Sequence, residues 1–231
     1  MKDVLKAIVV IGFGVFVFFA IKGSFGNGTQ MVEHGIKFQN AGVELNNNNY
    51  EKALKLYKQI VIANEDNPEN ADRIASQYII GIMYAKGLGT KQDYIKASKW
   101  LEMSAYQGHK ESQKDLGQFY YEGKGVKQDY KEAFRLLKLS AEQGYSDAQS
   151  ELGRFYYEGK GAEKDYKKAF KWFKLSAEQG NEVGQFNVGI IYEFGFGRRQ
   201  NNKIAKEWYG KSCDGGYERG CQGYARLNKK I

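Results

Sequence analysis

GQFYYEGKGVKQDYKEAFRLLKLSAEQG, residues 117–144, is written again 36 residues later as GRFYYEGKGAEKDYKKAFKWFKLSAEQG, residues 153–180, and the two stretches agree at 20 of 28 positions. An internal period of this size is the signature of a stacked-repeat architecture. Such a stack presents a long surface, not a buried catalytic cavity. The register extends on both sides. Gly81, Gly117, Gly153 and Gly189 keep the spacing, as do Tyr84, Tyr120, Tyr156 and Tyr192. So do the paired glycines Gly87/Gly89, Gly123/Gly125, Gly159/Gly161 and Gly195/Gly197, and the series Ala97, Ala133, Ala169 and Ala205. Trp100, Leu136, Trp172 and Trp208 share a column; Gln77, Gln113, Gln149 and Gln185 form another; Gly108, Gly144, Gly180 and Gly216 end the units.

Each unit reads as two helices. Leu116, Phe119 and Tyr120 share one face at helical spacing, and Gly117 lies on that face, where a missing side chain lets a neighbouring helix approach. Gly123 and Gly125 break the helix, because glycine enters left-handed backbone without steric cost. Asp129, an N-cap or first-turn acid, precedes a second apolar-periodic run through Ala133, Phe134, Leu137 and Ala141, which Gly144 stops. No strand-like alternation is visible, and the only proline is Pro68. The fold class is therefore all-α, with about eleven helices in antiparallel pairs over residues 31–228.

The pattern L-G-x-x-Y-x-x-G-x-G, then Asp-Tyr-x-x-Ala, then S-A-E-Q-G resembles the Sel-one-like repeat, a relative of the tetratricopeptide repeat with a longer, glycine-bearing turn. The resemblance covers Ala75 to Gly216 and implies a right-handed α–α superhelix. The last unit departs from it: Arg198 stands where Val126 and Ala162 stand, and Asn201 replaces the aspartate, which predicts a looser final turn. Residues 27–70 read as an ordinary tetratricopeptide-like pair (Phe38, Ala41, Leu45; Tyr50, Ala53, Leu54, Tyr57) whose short joint, Asn46 to Asn49, has no GxG. Residues 71–216 are four Sel-one-like repeats, and residues 217–231 a capping helix, which a solenoid needs because its terminal apolar face is otherwise wet.

Residues 1–26 differ in kind. Lys2 and Lys6 precede an uncharged apolar run, Ala7 to Ile21, as in a secretory n-region and h-region. The run is short for a free-standing span, and Ser24 and Gly26 make a mediocre cleavage site. The segment is read as either a signal peptide or an uncleaved anchor, with membrane contact through residues 4–21 in the second case. Both readings place the rest of the chain across the membrane, on the periplasmic side of a bacterial inner membrane. The net charge of +8 allows a mild preference for anionic partners. Its lysines are interleaved with acids and no nucleic-acid reading motif is present, so no nucleic-acid partner is expected.

Few residues of the chain suggest chemistry. H-E-x-x-H, S-x-x-K and G-x-S-x-G are missing: Ser98 leads to Leu101 and Ser112 to Asp115. The GKG segments sit at helix C-termini, whose carbonyls repel phosphate. Glu122 and Glu158 are a repeat column and not a catalytic pair. His34 and His109 lie in distant repeats and read as surface or packing residues, so no metal, cofactor or catalytic residue is expected. Cys213 falls in the column of Ala141 and Ala177, and Cys221 in that of Gln149 and Gln185. The Gly215–Gly216 turn folds one helix back on the other. A cysteine-rich subset of the resembled family bridges pairs at this spacing, which implies a Cys213–Cys221 disulfide and an oxidising compartment. Some cysteine-rich relatives are labelled beta-lactamases or penicillin-binding proteins. That alternative is set aside here for want of their serine and lysine motifs.

The remaining reading is a binding scaffold. First helices of such pairs line the concave side. Opposite their apolar face runs a stripe of Lys114, Gln118 and Tyr121, then Ser150, Arg154 and Tyr157, changing to Phe186, Ile190 and Glu193 in the last unit. Tyrosine and arginine are favoured interface anchors. Gln118, Tyr121, Arg154 and Tyr157 are therefore the candidate protein-binding residues. Relatives of this build act as adaptors, as envelope-stress or virulence factors and as immunity proteins, which implies a protein partner in the cell envelope.

Overall fold

A computed structural model describes residues 6–11, 14–19 and 26–229. Residues 26–229 are helical throughout apart from the turns: α1 (Gly26–Asn46), α2 (Tyr50–Ala63), α3 (Ala71–Lys86), α4 (Tyr94–Tyr106), α5 (Lys110–Glu122), α6 (Tyr130–Glu142), α7 (Ser146–Glu158), α8 (Tyr166–Glu178), α9 (Glu182–Phe194), α10 (Asn202–Asp214) and α11 (Glu218–Asn228). Each helix packs on the one before it and the one after it. Odd-numbered helices also approach one another, α1 with α3, α7 with α9, and α9 with α11. In a curved two-layer stack the inner layer is the one whose members crowd together. The odd helices thus form the concave layer and the even helices the outer one.

The long turn of each unit is built the same way. The first glycine of GxG takes the left-handed C-cap, as at Gly123 with φ 70°. The next residue closes a Schellman bond, Lys124 N–H to the Phe119 carbonyl at 3.0 Å. The aspartate then donates its own N–H back to the carbonyl of the repeat-column tyrosine, Asp129 to Tyr120 at 2.9 Å. Its carboxylate accepts from the N–H groups of Lys131 and Glu132, capping α6. The second glycine does something different. A Cβ on Gly125 would collide with the backbone carbonyl of Tyr94, at the start of the preceding unit's second helix. Gly89 meets Tyr50, Gly161 meets Tyr130 and Gly197 meets Tyr166 in the same manner.

The last turn is not looser. Asn201 donates to the Tyr192 carbonyl at 2.8 Å and caps α10 by accepting from Ile204 N–H at 3.1 Å. Asparagine keeps the acceptor and drops only the charge. The Arg198 guanidinium lies 3.9 Å from the Phe170 ring centroid and 4.2 Å from that of Tyr192, so its stem and planar head replace the lost packing of Val126 and Ala162.

Buried polar side chains stitch the layers at regular positions. Ser140 Oγ donates to the Lys110 carbonyl and Ser176 Oγ to that of Ser146, both at 2.7 Å, tying the end of each outer helix to the start of its inner partner. Gln113 accepts from Gln143 in its own unit at 2.8 Å and donates to the Ala105 carbonyl of the preceding unit at 3.1 Å. Gln149 repeats both bonds, to Gln179 and Ala141. The pattern runs out at the ends. Gln185 has Gly215 where its partner glutamine would be, and its Oε1 is buried without a partner; Gln77 Nε2 is in the same state at the other end. Beyond Gln185 the column passes to Cys221, bonded to Cys213 with Cα atoms 4.5 Å apart. The disulfide thus joins the two columns that the glutamine–carbonyl bond joins elsewhere. A second clasp lies beside it: the buried Glu193 carboxylate accepts from Tyr209 Oη at 2.7 Å and from Arg226 of α11 at 2.5 Å.

The amino-terminal run differs from the sequence reading. Lys6–Ile11 (β1) and Gly14–Phe19 (β2) pair as an antiparallel hairpin, with Lys6 opposite Phe19 and Ile11 opposite Gly14. A continuous apolar run carries no periodicity to separate helix from strand, and this one is rich in valine, isoleucine and phenylalanine, which suit extended backbone. Among the described residues no helix is long and apolar enough to cross a membrane. The expected cleavage residue Ser24, and part of the expected contact at 4–21, fall outside the described residues.

Two substitutions separate the roles of the turn glycines. Gly123→Ala adds a Cβ with room around it and should cost about 1–2 kcal/mol for the left-handed backbone alone. Gly125→Ala adds a backbone collision and should cost about 1–3 kcal/mol more. Urea unfolding of the two variants measures the difference, and equal losses would show that the close approach is dispensable. Reducing the Cys213–Cys221 bond should lower stability by roughly 2–3 kcal/mol and raise amide exchange first in α11.

Candidate functional site

A ladder of rings and cations crosses the unit boundaries where the inner helices end, the long turns begin and the outer helices start. Tyr121, at the end of α5, meets Tyr130 of its own unit and Phe155 of the next at tilted angles, with centroids 5.4 and 5.5 Å away. The Arg154 guanidinium sits 4.7 Å from the Tyr121 centroid. Lys160 lies 4.7 Å from the same ring and donates to the Tyr121 hydroxyl at 2.6 Å. One unit later, Tyr157 meets Tyr166 at 5.3 Å and Phe196 at 5.4 Å. Phe196 fills the column of Lys160, so a ring replaces a cation over an otherwise unchanged tyrosine pair.

Of the four expected binding residues, Tyr121 and Arg154 are in direct contact. Gln118 stands one turn before Tyr121 and donates to Glu122 at 2.5 Å. Tyr157 belongs to the next rung. All four are half-buried. The wider stripe is less uniform than its spacing predicts: Ser150 is buried, and Glu193 is the buried clasp already described. The stripe lies where successive inner helices touch, and near the C-terminus α11 covers it. Sequence spacing also missed Lys160 and Phe196. They sit in the turn, outside any helical wheel, and only their 36-residue offset links them to the ladder.

Electrostatics hold the ladder charged. Burial works against the Arg154 charge, but Glu151 at 2.5 Å and Glu158 at 3.4 Å outweigh it and raise its pKa. The Lys160 ammonium lowers the Tyr121 phenol, with Arg154 adding to the effect. Burial raises Tyr157. The ladder therefore holds fixed cations and polarised phenols on a frame of rings.

One cluster looks like hydrolase chemistry. His109 Nδ1 is 3.0 Å from Ser112 Oγ, and its Nε2 is 3.5 Å from Glu111. Ser112, however, has no exposed surface and donates to Ser104 Oγ at 2.9 Å, so a substrate carbon has no approach to it. Nδ1 also accepts the Ser112 N–H at 3.3 Å, which makes His109 the N-cap of α5. Among the described residues no three His, Cys, Asp or Glu side chains are grouped to hold a metal ion.

The Sel1 repeat family model matches residues 33–60, 74–109, 110–145, 146–181 and 183–217. The chain belongs to the Sel1 repeat family. This is the family its sequence pattern resembles, and the match includes the first, shorter unit. A Sel1 repeat protein from Oxalobacter formigenes superimposes with a TM-score of 0.74 at 27% identity, over 84% of this chain and 74% of that one. A protective antigen of uropathogenic Escherichia coli, displaying an SLR fold, gives 0.76 at 30% identity over 86% of this chain, which spans only 42% of the antigen. An immunity protein from Pseudomonas aeruginosa shares the fold with a TM-score of 0.55 at 20% identity, over 82% and 72% of the two chains. No functionally curated protein matches the sequence significantly.

The His109 cap yields a pH dependence. Burial lowers the His109 pKa, against the pull of Glu111. The unfolded chain then binds a proton more readily than the folded one as pH drops below about 6.5. Stability is full above that value and falls with pH until the folded ring also protonates. His109→Asn keeps a capping acceptor without a titration and should flatten the slope of unfolding free energy between neutral pH and pH of about 5. An unchanged slope would remove His109 as its source.

Proposed function

We propose that this Sel1 repeat protein is an exported or membrane-anchored scaffold that binds another protein in the bacterial cell envelope, through the ladder of Gln118, Tyr121, Arg154 and Tyr157. The observation that carries the reading is variation on a constant frame. Ala85, Tyr121, Tyr157 and Glu193 occupy one position of successive inner helices, and Ile82, Gln118, Arg154 and Ile190 another, while the turn glycines around them do not change. Packing alone would not require such variety. Export is supported by the basic and apolar amino-terminal run and by the disulfide, which persists in oxidising compartments. An immunity-type role is the finer reading suggested by the Pseudomonas aeruginosa protein of the same fold.

Affinity capture from envelope extracts with the full chain as bait tests this. A stoichiometric partner is expected. Arg154→Gln combined with Tyr157→Ala should weaken its retention about tenfold, the equivalent of one lost anchor contact, with far-ultraviolet circular dichroism unchanged. Retention unaffected in the folded double variant would place the contact elsewhere, and recovery of the chain only from the cytosol would remove the envelope setting.

A further inference from the structure

The tryptophan column contains one exception, and the structure is open at that point. Trp172 packs into the cluster of Ala141, Ala148 and Leu152 beside Tyr156. Trp208 packs into the next, which holds Ala177 and Val188 beside Tyr192. The matching cluster one unit earlier holds Ala105 and Leu116 beside Tyr120, and receives Leu136. An indole is missing there. A cleft of about 510 Å³ occupies the site, between α4 and α6 over α5, walled by Ala105, Leu116, Tyr120, Leu136 and Leu139. Its outer edge is Tyr106, 88% exposed, in a column that otherwise holds Glu142, Glu178 and Asp214.

The rim charge is also exceptional. Glu102 lines the cleft where Lys138 and Lys174 stand in the following units. Glu132, the other rim carboxylate, is held by Arg135 at 2.5 Å, whereas Glu102 makes no ion pair among the described residues. The two outer helices around it are basic on balance: α4 and α6 together carry five Lys and Arg against three Asp and Glu. A slot with apolar walls, the Gln113 amide and a charged rim of Glu102, Glu132 and Arg135, of which Glu102 alone is outside the rim ion pair, thus interrupts that face.

We propose that the α4–α6 cleft is a docking site for an aromatic side chain, tryptophan above all, that a partner protein presents next to a lysine or arginine. The repeat supplies the template for the ring, since neighbouring units fill the equivalent place with their own indole. Glu102 supplies the complement to the neighbouring positive charge. The site lies in the outer layer and uses none of the ladder, so it stands or falls separately from the function proposed above.

The minimal probe is 5-fluorotryptophanamide, an indole with one ammonium, titrated against the full chain and followed by fluorine resonance. Saturable binding in the millimolar range is expected of so small a ligand. Leu136→Trp should abolish it while melting at or above the wild-type temperature, because the cleft then carries the packing its neighbours have. Should that variant not fold, Leu136→Phe makes the same test. Glu102→Lys, on the surface, should weaken the probe about threefold and leave neutral 5-fluoroindole unaffected. Absence of saturation with the wild-type chain, or undiminished binding in a folded Leu136→Trp or Leu136→Phe chain, would overturn the proposal. Equal affinity of the Glu102→Lys chain for the charged probe would overturn the requirement for a basic neighbour.

Discussion

The stack depends on one close approach: the second glycine of each GxG turn lying against the backbone that starts the preceding unit's outer helix. No side chain fits there, and the left-handed dihedral at the same residue, φ 67° at Gly125, is one that glycine takes without cost. The contact fixes the offset between units. Everything else is placed relative to it: the inner helices crowd, the tyrosines at their ends reach the next unit's rings, and the outer helices are left with clefts that a large side chain must fill. A turn one residue longer would move Lys160 and Phe196 off the rings they cover.

Within that frame, the polar stitching decides which units are interchangeable. An internal unit both gives and receives the glutamine bonds, so its neighbours need no special residues. The first and last units of the glutamine column cannot do so, and each shows the consequence as a buried amide atom without a partner. Beyond Gln185 the column is continued by other means. Covalent sulfur replaces the glutamine link, and the Tyr209–Glu193–Arg226 bonds replace the tyrosine rung that Tyr121 and Tyr157 provide earlier.

Much of this was legible because repetition averages out local ambiguity. Four copies of a glycine pair mark a turn that one copy would only suggest, and the capping aspartate, the Gly117 column and the cysteine columns were all placed by register alone. Other features were not legible, beyond the turn residues Lys160 and Phe196. The amino-terminal run has no repeat to compare with and no period, so its strand pairing was hidden. Helical spacing marks Ser150 and Glu193 as the same stripe as Tyr121, but spacing does not report that successive inner helices cover that stripe unevenly. The substitution of Asn201 for aspartate read as a weakness because charge was weighed above hydrogen-bond capacity, and the side-chain oxygen alone carries the cap.

The disulfide also has a mechanical consequence. A linear array under tension unravels from whichever end is held least. At the carboxyl end, α11 cannot be peeled from α10 beyond the loop that Cys213 and Cys221 enclose until sulfur chemistry intervenes. At the other end, α1 and α2 are joined by a short segment with no GxG contact to an earlier unit. Under tension the oxidised α10–α11 pair leaves the stack as one piece, and the chain between Cys213 and Cys221 adds nothing to its extension until the bond is reduced.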